Sequence, residues 1–227
     1  MNLRWIPALI FGFLGVAVLA GLGVWQIERL AWKDAVIARI ETRIAAEPGP
    51  LPAAPEAGRD RYRPVRIEGR FGEGALRVLV SRKLFGAGYR LISPFDAGGR
   101  IVLVDRGFVP VADPVPPPPA GEVTISGNLH WPDDRNSATP ENDVGGNIWY
   151  ARDIPDMAGA LGTEPVLVIV RQMSPSEQGV TPLPVDTAAI PNDHLEYAIT
   201  WFALAAVWAA MTGYFIWRGR TPRKGTG

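Results

Sequence analysis

Pro191-Asn192-Asp193-His194-Leu195-Glu196-Tyr197-Ala198-Ile199-Thr200-Trp201 marks the point where a polar, proline-rich segment becomes a long apolar run, 195–217. That run is long enough to cross a bilayer. Trp201, Trp208, Tyr214 and Trp217 are spaced along it as aromatic anchors, and Arg218, Arg220, Arg223 and Lys224 follow at once. No Lys or Arg lies in the twenty residues before it. The positive-inside bias therefore puts the C-terminus in the cytoplasm. His194, one of two histidines in the chain, then falls at the depth of the lipid headgroups on the opposite side.

A second apolar stretch lies at the other end. Residues 5–26 carry no charge after Arg4 and match one crossing of roughly 20 residues. A cleaved signal peptide is the alternative, with Ala17, Ala20 and Gly21 as small residues for a peptidase. The helical pattern runs on without a break, which favours a retained span. Ala8 with Gly12, and Ala17 with Gly21, are small residues four apart that let another helix approach. With two spans the N-terminus is cytoplasmic as well. Arg29, Lys33, Arg39 and Arg43 follow the first span on the outer side, so the second span decides the orientation.

Between the spans the chain is polar. It has 227 residues, a formal net charge of zero and no Cys, so nucleic-acid binding, disulfides, thiolate metal sites and a cysteine nucleophile are not indicated. Residues 27–46 continue as a helical extension with Leu30, Ile37, Ile40 and Ile44 on one side, ended by Pro48, Pro50, Pro52 and Pro55. Residues 47–61 read as a mobile loop. Strands are expected at 62–71, 76–84, 89–95, 100–109, 122–131 and 165–173, with a short one at 147–152. Glycine pairs at Gly72 and Gly74, Gly86 and Gly88, and Gly98 and Gly99 separate the early ones, which suggests an antiparallel meander. A short helix fits 154–161, with Pro155 in its first turn. The fold class is therefore α+β, with two transmembrane helices flanking a mostly antiparallel β periplasmic domain that has small helices. Its parts are 5–26, 27–46, the β domain 62–173, a proline-rich linker 174–193, and 195–217. The strands close into a barrel or form a two-layer sheet.

No enzymatic constellation stands out. His130 lies near Asp133, Asp134 and Ser137, but a hydrolase needs a nucleophile, base and acid in contact, and the plain reading is a solvated surface histidine. Arg106 beside Gly107 reads as a structural surface arginine rather than an anion site. His194 differs. At about 100° per residue, Tyr197, Ala198, Trp201, Ala205, Trp208 and Thr212 share its helix face. Such a stripe receives either a flat apolar object or a partner helix, and imidazole is a common haem ligand. The plainer alternative is a histidine that caps the helix or meets lipid phosphate. Asn192 and Asp193 serve as caps in either case.

Four motifs in order resemble the Surfeit locus protein 1 family. They are Gly23-Val24-Trp25-Gln26-Ile27-Glu28-Arg29-Leu30-Ala31-Trp32-Lys33; Tyr62-Arg63-Pro64-Val65 with Gly69 and Phe71; Val102-Leu103-Val104-Asp105-Arg106-Gly107-Phe108-Val109-Pro110; and Pro191 to Phe202. The third departs from the family pattern, which commonly has Asn and Trp where Asp105 and Phe108 stand here. Asn147-Ile148-Trp149-Tyr150 with Asp153 is a weaker fifth. The resemblance implies a non-enzymatic, multi-pass protein of a bacterial inner membrane that assists assembly of an aa3-type cytochrome c oxidase. It implies transient haem a binding with His194 as iron ligand, Trp25, Arg29, Tyr197 and Trp201 flanking it, and the oxidase core subunit and haem A synthase as partners. A cofactor-free scaffold for oxidase subunits is the alternative.

Overall fold

The computed structural model describes residues 6–82, 86–188 and 190–220. Arg4, Arg223 and Lys224, named above, and positions 5 and 84, which bound ranges given above, lie outside the described residues, as does the side chain of Arg220. The chain divides into two compact units, Met1–Arg39 with Ala188–Gly227, and Ile40–Thr187.

The first unit is built from two helices. Helix α1 spans Ile6–Ala45, and all but its last residues belong here; helix α4 spans His194–Arg220. Both are long and apolar enough to cross a membrane. Their apolar side chains are largely exposed: Leu9, Ile10, Phe11, Phe13, Leu14 and Val18 on α1, and Ile199, Leu204, Val207, Met211 and Phe215 on α4. Exposed apolar surface on this scale is costly in water and ordinary in lipid. The helices meet along glycines. A Cβ on Gly12 would lie 2.2 Å from Thr212 Cγ2, one on Gly15 2.2 Å from Trp208 Nε1, and one on Gly23 2.7 Å from Phe202 Cζ. Rising numbers on α1 thus meet falling numbers on α4, so the two helices are antiparallel. Of the small residues expected to carry this contact, Gly12 is buried in it, whereas Ala17 is exposed and Gly21 has nothing within 4 Å of its Cβ position. Gly15 and Gly23 complete the contact, because the buried face follows a 3–4 spacing and residues 17 and 21 fall off it.

The second unit is a mixed sheet of seven strands: β1 Pro64–Phe71, β2 Leu76–Arg82, β3 Gly86–Asp96, β4 Ile101–Pro110, β5 Val123–His130, β6 Ile148–Trp149 and β7 Glu164–Ser174. Consecutive antiparallel pairing holds only for β2, β3 and β4, so the expected meander is limited to these. β1 pairs with β5, β5 with β7, and β7 runs parallel to β4. β1 also meets β3 through Arg70↔Asp96 and Phe71↔Phe95, which closes β1, β5, β7, β4 and β3 into a ring. β2 continues outward from β3, and β6 joins it in parallel. Gly86 and Gly88 sit inside β3 rather than in the turn, whose residues lie outside the described ones. Gly88 has no side chain because the Phe108 ring occupies that space.

The ring is filled by Val65, Ile67, Phe95, Val102, Val104, Ile125, Leu129, Val166, Val168 and Val170. On the other face of β4 and β7, Leu103, Leu167 and Ile169 pack with Trp149 and with Ile154, Met157 and Ala158 of helix α3, Ile154–Leu161. Both faces of β7 are covered, which is why its sequence is a continuous apolar run. The unit also holds the segment read as loop and the linker as far as Thr187. Gly49 bridges Val65, and a four-residue helix α2, Ala57–Asp60, brings Asp60 in to accept from Arg59 and Arg63 and from its own Glu56 N–H. In 174–193, Thr181 bridges Phe108, Val180 and Leu183 are buried, and Arg106 grips Glu177. Backbone pairing and buried ion pairs hold both stretches, features that proline content conceals.

Ring closure requires Gly69, where a Cβ would lie 1.8 Å from the Asp96 carbonyl oxygen. Gly69→Ala is expected to destabilise the protein by about 1–3 kcal/mol through overpacking at this seam. Gly58→Ala, whose Cβ meets nothing within 4 Å, is the neutral comparison. Thermal unfolding followed by tryptophan fluorescence checks it; equal melting temperatures for the two variants would refute the closure.

Candidate functional site

His194 opens α4 and is half-buried. Its Nδ1 lies 2.8 Å from Gln26 Oε1. An amide oxygen only accepts, so Nδ1 is the nitrogen that donates in this contact, and in a neutral ring donating this way the lone pair is on Nε2. Gln26 is 8% exposed and is the one polar side chain buried among the described residues of α1. Close by, Asn192 Nδ2 donates to Asp34 Oδ1 at 2.7 Å. The same end of the helix pair thus has two hydrogen bonds between α1 and the start of α4.

The other four candidate residues lie within two turns of this point along α1 and α4. Trp25 and Arg29 flank Gln26 on α1 and are exposed, with the Arg29 guanidinium 4.1 Å from the Trp32 ring centroid. Tyr197, one turn along α4, is 56% exposed. Trp201 is half-buried. The stripe below His194 is partly covered: Ala198 and Ala205 are buried, and Trp208 packs on Gly15 and on Phe11 at 5.3 Å between ring centroids. Trp208 and Thr212 of this stripe therefore meet α1 of the same chain. Tyr197 leaves that stripe and faces outward. Gln26 is the residue sequence reasoning missed. Its signal was a lone amide on the 3–4 spaced face of an apolar run, read there only as the end of the span.

Among the described residues no three His, Asp or Glu side chains converge to hold a metal ion. His194 fits a haem iron as a single axial ligand: Nε2 holds a lone pair, Nδ1–H is fixed by an acceptor, and aromatic surface and a guanidinium lie within a turn.

In the second unit His130 is not the solvated surface residue expected. It is half-buried against Tyr62, ring centroids 5.4 Å apart, and its Nδ1 has no hydrogen-bond partner. Burial, with the Arg152 and Arg61 charges adding to it, lowers its pKa from 6.5 to about 4. Arg152 forks onto Asp134 at 2.6 and 3.0 Å and approaches Asp105 at 3.8 Å. Arg90 donates to Asp105 at 2.6 Å and to the Leu183 carbonyl at 2.8 Å. Arg106, read as a surface arginine, is fully buried; it binds Glu177 and the Pro116 carbonyl and stands 5.9 Å from the Phe71 ring centroid. These cations are committed to anions and carbonyls of the same unit, and none presents a nucleophile to His130.

The SURF1 family model matches residues 13–206. The chain is 32% identical to Surfeit locus protein 1 of Rattus norvegicus over 90% of this chain and 71% of the rat protein. Against Surfeit locus protein 1 of Homo sapiens it is 33% identical over 82% of this chain and 70% of the human protein. Against a SURF1-like protein of Monosiga brevicollis it is 32% identical, covering 89% and 85%.

The His130 environment gives a pH dependence. The folded protein keeps His130 neutral down to about pH 4, while the unfolded chain takes up the proton near 6.5. Between these values the unfolded state binds more protons, so stability falls as pH falls, by on the order of 2–3 kcal/mol. Asp60, lowered to about 2 chiefly by the Arg59 hydrogen bond, weakens the fold only below its ordinary 3.8. Denaturant unfolding at pH 7 and pH 4.5 should show the loss in wild type and a much smaller one in His130→Gln; parallel losses would contradict the assignment.

Proposed function

Because the chain belongs to the SURF1 family, we propose that it is an assembly factor for an aa3-type cytochrome c oxidase that carries haem a transiently to the core subunit. The observation that carries this reading is the His194 ring, with Nδ1 committed to Gln26 and Nε2 left as a ligand nitrogen. Haem a is cargo here: Nε2 would take the iron, and the exposed Tyr197 and Trp25 would offer aromatic surface to the macrocycle. Arg29 supplies a cation for a propionate. Trp201 contributes its half-buried edge. One axial ligand from this chain suits transfer, since release to the core subunit breaks one bond. Haem A synthase is the natural donor. In this reading the two candidate spans cross a bacterial inner membrane, and the arginines after the second span, through the positive-inside bias, favour both termini in the cytoplasm and the β domain in the periplasm. The protein performs no chemistry on its cargo and is not an enzyme.

One observation favours a second reading, a cofactor-free scaffold that binds oxidase subunits. Ala198, Trp208 and Thr212 lie in the α1–α4 contact, so the stripe expected to face haem is largely used for helix packing.

Purification from cells that make haem A decides between them. The transfer reading expects a haem a absorption spectrum in wild type that falls to background in His194→Ala. The scaffold reading expects capture of the core subunit with no haem in either protein, and haem retained at wild-type level by His194→Ala removes this histidine as ligand.

A further inference from the structure

An imidazole binds iron through one nitrogen only when the proton is on the other. A free neutral histidine exchanges between the two forms, so a ligand histidine works best where a neighbour fixes the choice. In this helix pair one neighbour is placed to do so. Gln26 Oε1 is 2.8 Å from Nδ1 and 8% of the Gln26 residue is exposed. Gly23, one turn before Gln26, lets the Phe202 ring come within van der Waals contact of α1 and brings α4 close enough for the amide to reach. Of the other polar groups at this level, Asn192 donates through Nδ2 to Asp34 while its Oδ1 has no partner, and Arg29 lies over Trp32. Thr200, further along α4, donates to the Glu196 carbonyl.

We propose that Gln26 is a positioning residue that holds His194 as the Nδ1–H tautomer, with Nε2 directed away from α1 as the iron-binding nitrogen. The inference rests on the haem-ligand reading for the purpose of that nitrogen, but the tautomer itself is a property of the protein alone. The amide touches no cargo and acts only through the ring it orients. A carboxylate in its place keeps an acceptor and strengthens the bond; an aliphatic side chain removes it. Single hydrogen bonds between membrane helices contribute little to pair stability, and the glycine contacts are untouched, so the variants keep the helix pair.

The test has two arms. In the first, haem-free protein labelled with 15N-histidine is examined in detergent at pH 8 by long-range proton–nitrogen NMR, with His194→Gln identifying the resonances. Wild type and Gln26→Glu should show a protonated Nδ1 and an unprotonated Nε2; Gln26→Leu should show the Nε2–H form becoming dominant. An Nε2–H ring in wild type, or a tautomer unchanged in Gln26→Leu, overturns the proposal. In the second arm haem a is titrated into the same three proteins. Gln26→Leu should bind about 10–100-fold more weakly, and Gln26→Glu should recover the affinity with a more negative reduction potential. Equal affinity and potential in all three proteins would overturn the positioning role. A tautomer that follows Gln26 in a protein that binds no haem would instead leave the hydrogen bond standing and remove the transfer function.

Discussion

A hydrogen bond between Gln26 and His194 fixes the chemistry of the helix pair. Apolar helices in lipid gain nothing from hiding apolar surface against each other, so their contact depends on close backbone approach and on polar groups that find partners. Here Gly12, Gly15 and Gly23 provide the approach, and the Gln26–His194 and Asp34–Asn192 bonds provide the partners. Both bonds lie at one end of the pair and fix the ring orientation there. A histidine in that position has a defined ring orientation, unlike a mobile surface group.

The sheet unit depends on a different constraint, the matching of buried guanidinium groups. β4 carries Asp105 and Arg106 side by side, and because neighbours on a strand point to opposite faces, each enters a different interior. Asp105 takes Arg90 and faces Arg152; Arg106 takes Glu177 and the Pro116 carbonyl. Leaving any of these charges alone in the interior would cost far more than the pair itself contributes. The pairs therefore act as pegs. Through Leu183 and Glu177 they hold the proline-rich segment after β7 against the barrel, and through Arg152 they add a positive charge to the burial that keeps His130 neutral.

Much of the architecture was legible in the sequence because it rests on short-range rules. The single helix through Ala45, the strand at Glu164–Ser174 and the helix Ile154–Leu161 follow from periodicity and composition. Strand order was not legible, since β7 lies between β5 and β4 for reasons of packing across the whole domain. Loop and linker were misjudged for a related reason: the bonds that order Gly49 and Thr181 come from strands far away in sequence. At the candidate site, His194 and its aromatic neighbours were visible as residue types. Gln26 was not, because its role appears only once the antiparallel pairing puts residue 26 beside residue 194. The same pairing turned part of the expected cargo face towards α1.

The most direct measurement of the central claim is the resonance Raman spectrum of reduced, haem a-loaded protein, prepared with natural-abundance and with 15N-labelled histidine. If His194 binds the iron, the iron–histidine stretching band moves to lower frequency on labelling. A spectrum with no band that moves would contradict histidine ligation, and with it the account of how this helix pair carries its cargo.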